Sequence, residues 1–406
     1  MRERQSASTV LSRRGLLKGL GAAAGALAIS PLALRLASGA PATAISLGVL
    51  LPTSSLYPRL AASLLDGLNL AFVGAGPAVQ LLPVEYGTLP SAAVAAGRRL
   101  IVEHGVDLLI GVISQPAIAQ LQPLLHARRV PLLVTTAGAN LLRHEPDPYI
   151  FHNTLGAWQA SHAAGAWAAA TLGPRIVSIA SFHESGYDTL GAFGAGVASG
   201  GGTIVARHVT HAPGTSSDLT AVLRAVGAAR PDALYAAYSG EQAAAFLQAY
   251  AESGLAAHTP LLGSPFLVAA PAPAGLRVLS PLGWSARLDP AANLAFEARL
   301  AAVGRAPDPF VVLGYESGLL IEAARTAPTS LAAALPGATV SGPRGPLRIE
   351  RDGHVTRAPL TMRSFSWRGG APVEGEAIPL AYPSSAAIAA MAATPKTGWL
   401  TAYLCL

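Results

Sequence analysis

His104 to Asn140 reads HGVDLLIGVISQPAIAQLQPLLHARRVPLLVTTAGAN, and the period of its apolar positions changes twice. Val106 to Val112 is an unbroken apolar run, the pattern of a parallel strand covered on both faces by helices. Ser114 then offers a cap oxygen and Pro116 suits a first helical turn. Ile118, Leu121, Leu124 and Leu125 follow at helical spacing down to Arg128 and Arg129. Val130 to Val134 is a second apolar strand, ending in Thr135, Thr136, Ala137, Gly138, Ala139 and Asn140. The unit is therefore strand, crossover helix, parallel strand. Both strands end in small polar residues on one sheet edge, where open parallel sheets bind ligands. Ser114, Gln115, Thr135 and Thr136 are either ligand contacts there or only a helix cap and turn residues.

Before this unit, Ala44 to Leu51 and Val79 to Glu85 read as strands, and Pro58 to Phe72 and Ser91 to His104 as helices. The alternation describes a doubly wound α/β layer. The Phe151 to Thr154 strand is expected to leave it. A second layer of the same kind follows, with strands at Arg175–Ser181, Gly202–Val209, Ala233–Ala237 and Pro260–Gly263. Its helices are at Trp158–Leu172, Asp188–Ser199, Asp218–Ala228 and Glu241–Ser253. Two such layers imply two lobes with a cleft between them, the place where small-molecule sites concentrate.

The N-terminus resembles a twin-arginine export signal: Arg13-Arg14, then Leu16-Leu17 and Lys18, then an Ala/Gly-rich run from Gly19 to Leu34 that is short for a membrane span. Ala40-Pro41-Ala42 and Ala42-Thr43-Ala44 offer small residues for cleavage, so residues 1–42 are expected to be removed and the protein to work in the periplasm. Six of the 28 basic residues and one of the 22 acids precede Thr43. The formal charge of +6 thus belongs mostly to the signal, and the rest gives no electrostatic reason to expect nucleic acid as a partner. The single cysteine, Cys405, excludes an intramolecular disulfide.

The order of segments resembles the class I periplasmic binding proteins of ABC importers, specifically the branched-chain amino-acid and amide-binding family. The residues that carry the resemblance are Ile45 to Pro52, Gly105-Val106-Asp107 to Gly111, Arg175-Ile176-Val177 with Gly186-Tyr187, and Arg230 to Tyr235. Gly304 to Phe310 with Gly314-Tyr315-Glu316, and Gly342 to Leu347, complete the series. The resemblance implies a two-lobed α/β fold with a hinge of three crossings, near Thr154, near Trp284 to Leu288 and near Ser341. Residues 43–155 and 286–341 would form the first lobe, 156–285 and 342–382 the second, and 383–406 a tail. Asn293 to Val303 and Leu313 to Ala327 would return to the first lobe as helices. Pro346 to Arg351 and Leu360 to Trp367 would add strands to the second. The tail would pack a short helix, Ser384 to Ala393, or stay loose. The implied function is binding: a monomer that closes on one small metabolite, of the amino-acid or amide class, and delivers it to permease and ATPase subunits, with no cofactor, metal or catalytic residue.

By the same resemblance the ligand shell falls on Ser114 and Gln115, on the loop from Thr136 through Ala137 and Gly138 to Asn140, and on Tyr187, Tyr238, Glu241 and Ser264. Tyrosine suits a cleft because it pairs a large apolar face with a hydroxyl. Two departures bear on the ligand. Pro265 stands where amino-acid binders usually place the acid that holds the ammonium, and Ala139 where they usually place a carboxylate-binding threonine. An unpaired buried ammonium is costly, so either Glu241 or Glu184 substitutes or the ligand lacks an α-ammonium.

Two other classes compete. A ligand sensor of the same fold would act on a regulator or kinase instead of a permease. Twin-arginine export carries folded proteins, which keeps an exported α/β enzyme in view; yet no Gly-x-Ser-x-Gly elbow, dinucleotide fingerprint or Cys/His cluster occurs, only the pair His208 and His211.

Overall fold

Val49 and Leu50 face opposite ways, and that alternation explains the first layer. The structure, a computed structural model, describes residues 44–54, 57–74, 78–138, 147–211, 219–288 and 291–393. The twin-arginine segment, Ala139, Asn140 and Cys405 lie outside the described residues. The first layer comprises β1 (Ile45–Pro52), α1 (Leu60–Ala71), β2 (Val79–Gly87), α2 (Pro90–Val102), β3 (Leu108–Gly111), α3 (Gln115–Arg128), β4 (Leu132–Thr136) and β5 (Ile150–Thr154). Its sheet is parallel with order β2-β1-β3-β4-β5. Leu47, Val49, Leu108, Ile110 and Leu133 feed one core, while Leu50, Leu109, Leu132 and Val134 feed another on the opposite face. A strand with cores on both sides has no wet face, so its sequence reads as a continuous apolar run. Pro83 is confined to the edge strand β2, where a missing N–H is tolerated.

The second layer comprises α4 (Ala157–Thr171), β6 (Arg175–Ser181), α5 (Phe182–Ser185), α6 (Asp188–Ser199), β7 (Thr203–Thr210), α7 (Leu219–Ala229), β8 (Ala233–Ala237), α8 (Gly240–Glu252), β9 (Leu261–Gly263) and β10 (Val278–Leu282). The chain continues through α9 (Ala291–Ala302), α10 (Pro309–Arg325), α11 (Leu331–Ala334), β11 (Thr339–Gly342), β12 (Gly345–Ile349), β13 (Thr356–Arg357), β14 (Leu360–Arg368), β15 (Ala371–Leu380) and α12 (Ser385–Ala393). The second sheet has order β15-β14-β10-β9-β8-β6-β7, and β14 alone runs against the others, so that its pairings with β10 and β15 are antiparallel and the rest are parallel. The fold is thus two doubly wound α/β layers.

Helix α10 returns to the first layer, as expected, and lies directly on α1. A Cβ at Gly67 would sit 2.1 Å from the Val311 carbonyl oxygen, and one at Gly314 would sit 2.1 Å from that of Leu64. The two backbones touch, and only glycine permits it. Asp308 caps α10 by accepting from the N–H groups of Phe310 at 2.8 Å and Val311 at 3.0 Å, with Pro309 in the first turn.

Several expectations are corrected. Phe151 to Thr154 does not leave the first layer. It is β5, paired in register with β4 through Leu133–Phe151 to Thr136–Thr154. Pro346 to Arg351 adds no strand to the second sheet. Gly345–Ile349 is β12, in an antiparallel three-stranded sheet with β11 and β13, and its alternation turns Leu347 and Ile349 into the first core. The third crossing accordingly lies at Pro359: Ala358 belongs to the first core and Leu360 already to the second. The other two run through Leu155, between β5 and α4, and through Gly283–Trp284, where β10 ends and Trp284 joins the α9–α10 cluster. Strands β10 and β15 were not anticipated. Leu360 to Trp367 does join the second sheet, and Met391 of α12 packs on Trp158 and Ala192.

Candidate ligand-binding site

The C-terminal ends of β1, β4, β5, β9 and β10 surround a cavity of about 370 Å³ between the two layers. The first layer contributes Tyr57 and the start of α1, Ala137 beyond β4, and Asp308 to Phe310 at the start of α10. The second contributes Ala157 and Ala160 from α4, Pro265 and Phe266 beyond β9, and Leu282; Leu155, Gly283 and Trp284 come from the crossings. Strand ends dominate because parallel strands deliver their loops and helix N-termini to one edge. The Tyr57 ring spans the layers, 5.5 Å from Phe266 and 5.4 Å from Phe310 between centroids, distances at which tilted aromatic pairs attract. At the crossings the chains nearly touch: a Cβ at Gly283 would lie 2.4 Å from the Leu155 carbonyl oxygen.

The polar groups on this wall are few and mostly committed. Asp308 accepts the two cap hydrogen bonds and a third from Ser63 Oγ at 2.5 Å. Arg59, exposed at the rim, carries a guanidinium with no ion pair or hydrogen bond among the described residues. Among the described residues the wall therefore offers apolar area, one committed carboxylate and one available cation.

Of the ten contacts expected from the sequence, Ala137 lines this cavity. Ser114 and Gln115 are half-buried at the start of α3; Ser114 occupies the cap position but makes no side-chain cap hydrogen bond, and its buried Oγ has no partner among the described residues. Thr135 Oγ1 is likewise buried without a partner among the described residues, whereas the Thr136 hydroxyl donates to the Gly138 carbonyl. Tyr187 is half-buried, with its hydroxyl 3.5 Å from His183 Nε2, and its ring packs against the first core. Tyr238 is a core residue. Its ring stacks on Phe246 at 4.5 Å, its hydroxyl shares a 2.7 Å hydrogen bond with Thr210 Oγ1, and burial raises its pKa. Glu241 is exposed on the first turn of α8, away from the wall; Ser264 is buried and accepts from the Leu267 N–H at 3.4 Å. Glu184 and Asp188 are also buried in the second layer. Burial pushes the Asp188 carboxyl up to about 8, and the N–H groups of Asp188 and Thr189 pull it back only in part.

Sequence reasoning missed Tyr57, Phe266, Trp284 and Phe310. Each is an aromatic one to a few residues beyond a strand end, a crossing or a helix cap, a placement that could have singled them out. Among the described residues no group of three His, Cys, Asp or Glu is placed to hold a metal ion, and no helix is long and apolar enough to cross a membrane.

The sequence model of the family described as periplasmic binding protein matches residues 44–371. Among solved structures, an ABC transporter substrate-binding protein from Sphaerobacter thermophilus is 26% identical, with a TM-score of 0.72 over 82% of this chain and 98% of its own. A solute-binding protein of an ABC transporter from R. palustris, in complex with benzoate, is 24% identical with a TM-score of 0.64, covering 84% of this chain and 98% of its own. The substrate-binding protein of a branched-chain amino acid transporter from Streptococcus pneumoniae, in complex with isoleucine, is 18% identical with a TM-score of 0.63, covering 84% and 100%. The last two speak for the fold alone. No curated protein matches the chain by sequence.

Proposed function

The chain belongs to the periplasmic binding protein family, whose members bind solutes and are not enzymes, and from that premise we propose that it is the extracytoplasmic solute-binding subunit of an ABC importer, with an apolar carboxylic acid as its solute. The observation that carries this reading is the interlayer cavity, with apolar walls from both layers and an available cation at its rim. A small acid of aromatic or branched aliphatic kind would bury its body against Leu155, Pro265, Leu282 and Trp284 and turn its carboxylate towards Arg59. Burial of each methylene-sized group supplies about 0.8 kcal/mol.

A zwitterionic amino acid fits less well. Its ammonium would need a free acid, and the one carboxylate that the described residues bring to the wall, Asp308, already accepts three hydrogen bonds. Benzoate and isoleucine, bound by the R. palustris and Streptococcus pneumoniae neighbours, represent the two ligand classes to be separated. The two layers would act as lobes that hinge at Leu155, Gly283–Trp284 and Pro359, so that a ligand touching both favours closure. Residues 1–42 would serve as a twin-arginine signal that delivers the folded protein to the periplasm, where a monomer would meet its permease and ATPase partners.

Thermal shift tests the ligand class. At a hundredfold excess over its dissociation constant, a ligand that binds only the folded state stabilises it by about 2.7 kcal/mol. Benzoate and its homologues should raise the melting temperature, and Ala160→Phe, which fills the cavity, should abolish the rise. A rise with isoleucine but with no carboxylic acid lacking an ammonium would overturn the carboxylate assignment.

A further inference from the structure

A second cavity, of about 420 Å³, lies on the α6 side of the second sheet at its β7 edge. Its floor is fixed by strand register. Ser178 on β6 is opposite Arg207 on β7, and Ala180 is opposite Val209, so all four side chains leave the sheet on the same face. Ala180 packs with Phe193 and Val197 of α6, which identifies that face as the one α6 covers. The cover is incomplete because α6 presents Gly191, Gly194 and Ala195 there, residues too small to reach the strands. Tyr187 closes the end nearest the first layer.

Among the described residues three polar groups that line this cavity are uncommitted: the Ser178 hydroxyl, the Arg207 guanidinium and His208 Nε2, which is buried without a partner. Ser178 is 8% exposed, and its hydroxyl forms no hydrogen bond among the described residues. Arg207 likewise has neither ion pair nor hydrogen bond, and its Nη2 lies 3.9 Å from where a Cβ on Gly194 would be, against the α6 wall. A guanidinium and a hydroxyl from paired strand positions, with apolar surface from Leu190 and Val209, match one carboxylate carried on an apolar body. We propose that this cavity is a second binding site, for an amphiphilic monocarboxylate. Its carboxylate lies on Arg207 and Ser178, and its apolar body lies along Gly191, Gly194 and Ala195.

Counting bound 2-naphthoate on the full chain by equilibrium dialysis tests the site without relying on the interlayer reading. Gly194→Leu should fill the cavity while folding normally, since its Cβ would meet Ile204 and Arg207 at 3.8 and 3.9 Å, ordinary contact distances. The expected result is one equivalent fewer bound in Gly194→Leu than in the native chain, from two to one if the interlayer cavity also takes the acid and from one to none if it does not. Arg207→Met should weaken that equivalent about tenfold or more, and the neutral 2-naphthamide should not occupy it. Should Gly194→Leu fail to fold, Arg207→Met and Ser178→Ala give the same reading. An equal number of equivalents and equal affinity in the native chain and these variants would overturn the proposal, as would the absence of any bound 2-naphthoate.

Discussion

Replacing Arg344 by methionine should cost this protein much of its stability. Arg344 sits in the two-residue turn between β11 and β12 and reaches Glu316 on α10, its Nη2 2.6 Å and its Nε 2.8 Å from Oε2. The side chains are 2% and 0% exposed, so solvent screens neither charge. The same guanidinium donates to the Thr154 carbonyl at 2.6 Å and to Asn153 Oδ1 at 3.1 Å. Asn153 in turn donates to Ser317 Oγ and accepts from the Thr356 hydroxyl. Methionine keeps the unbranched apolar stem of the side chain and removes the cation, leaving the Glu316 carboxylate buried and unpaired, a loss of about 3–5 kcal/mol. The Thr154 and Asn153 acceptors add about 1 kcal/mol each if nothing replaces the donor. Against a typical stability of about 5–15 kcal/mol, that is a large share. Removing both charges in Glu316→Leu/Arg344→Met should recover most of the loss, because an apolar pair of similar volume is often as stable as the buried ion pair it replaces. Urea unfolding followed by circular dichroism gives each free energy, and the double-mutant cycle gives the coupling. A loss below about 1 kcal/mol for Arg344→Met, or strict additivity in the double variant, would refute the claim that this pair holds α10, β5 and the β11–β12 turn together.

Two further outcomes follow from particular residues. Folded Asp188 keeps its proton up to about pH 8, whereas the unfolded chain releases it near the ordinary value of 3.8, so stability should fall as pH rises between those values. The slope is at most about 1.4 kcal/mol per pH unit, and Asp188→Asn should flatten it; an unchanged profile in that variant would exclude Asp188 as its source. Arg13→Lys/Arg14→Lys should leave uncleaved precursor in the cytoplasm, read by fractionation and immunoblot, and normal export of that variant would rule out the twin-arginine route.

The two layers were legible in the sequence because their cause is local. Leu108, Leu109 and Ile110 alternate between two cores, both apolar, and that produces the continuous run from which the strand is read; α3 shows its buried face at Ile118, Leu121 and Leu125 by spacing alone. The site was not legible in this way. Tyr57 meets Phe266 and Phe310 across more than two hundred residues of chain, and no local period records such a meeting. Tyr238 and Glu241 lie near a strand end, as a ligand contact should, yet Thr210 and Phe246 draw the tyrosine into the core and α8 turns the glutamate to solvent. The third crossing was misplaced for the same reason. Leu347 and Ile349 have the alternation of a strand on any sheet, and only their packing against the first core decides which layer they join. Glu316 and Arg344 were visible as two separate marks of the family. Only the folded chain brings them within 2.6 Å, where the low dielectric of the core makes each charge depend on the other.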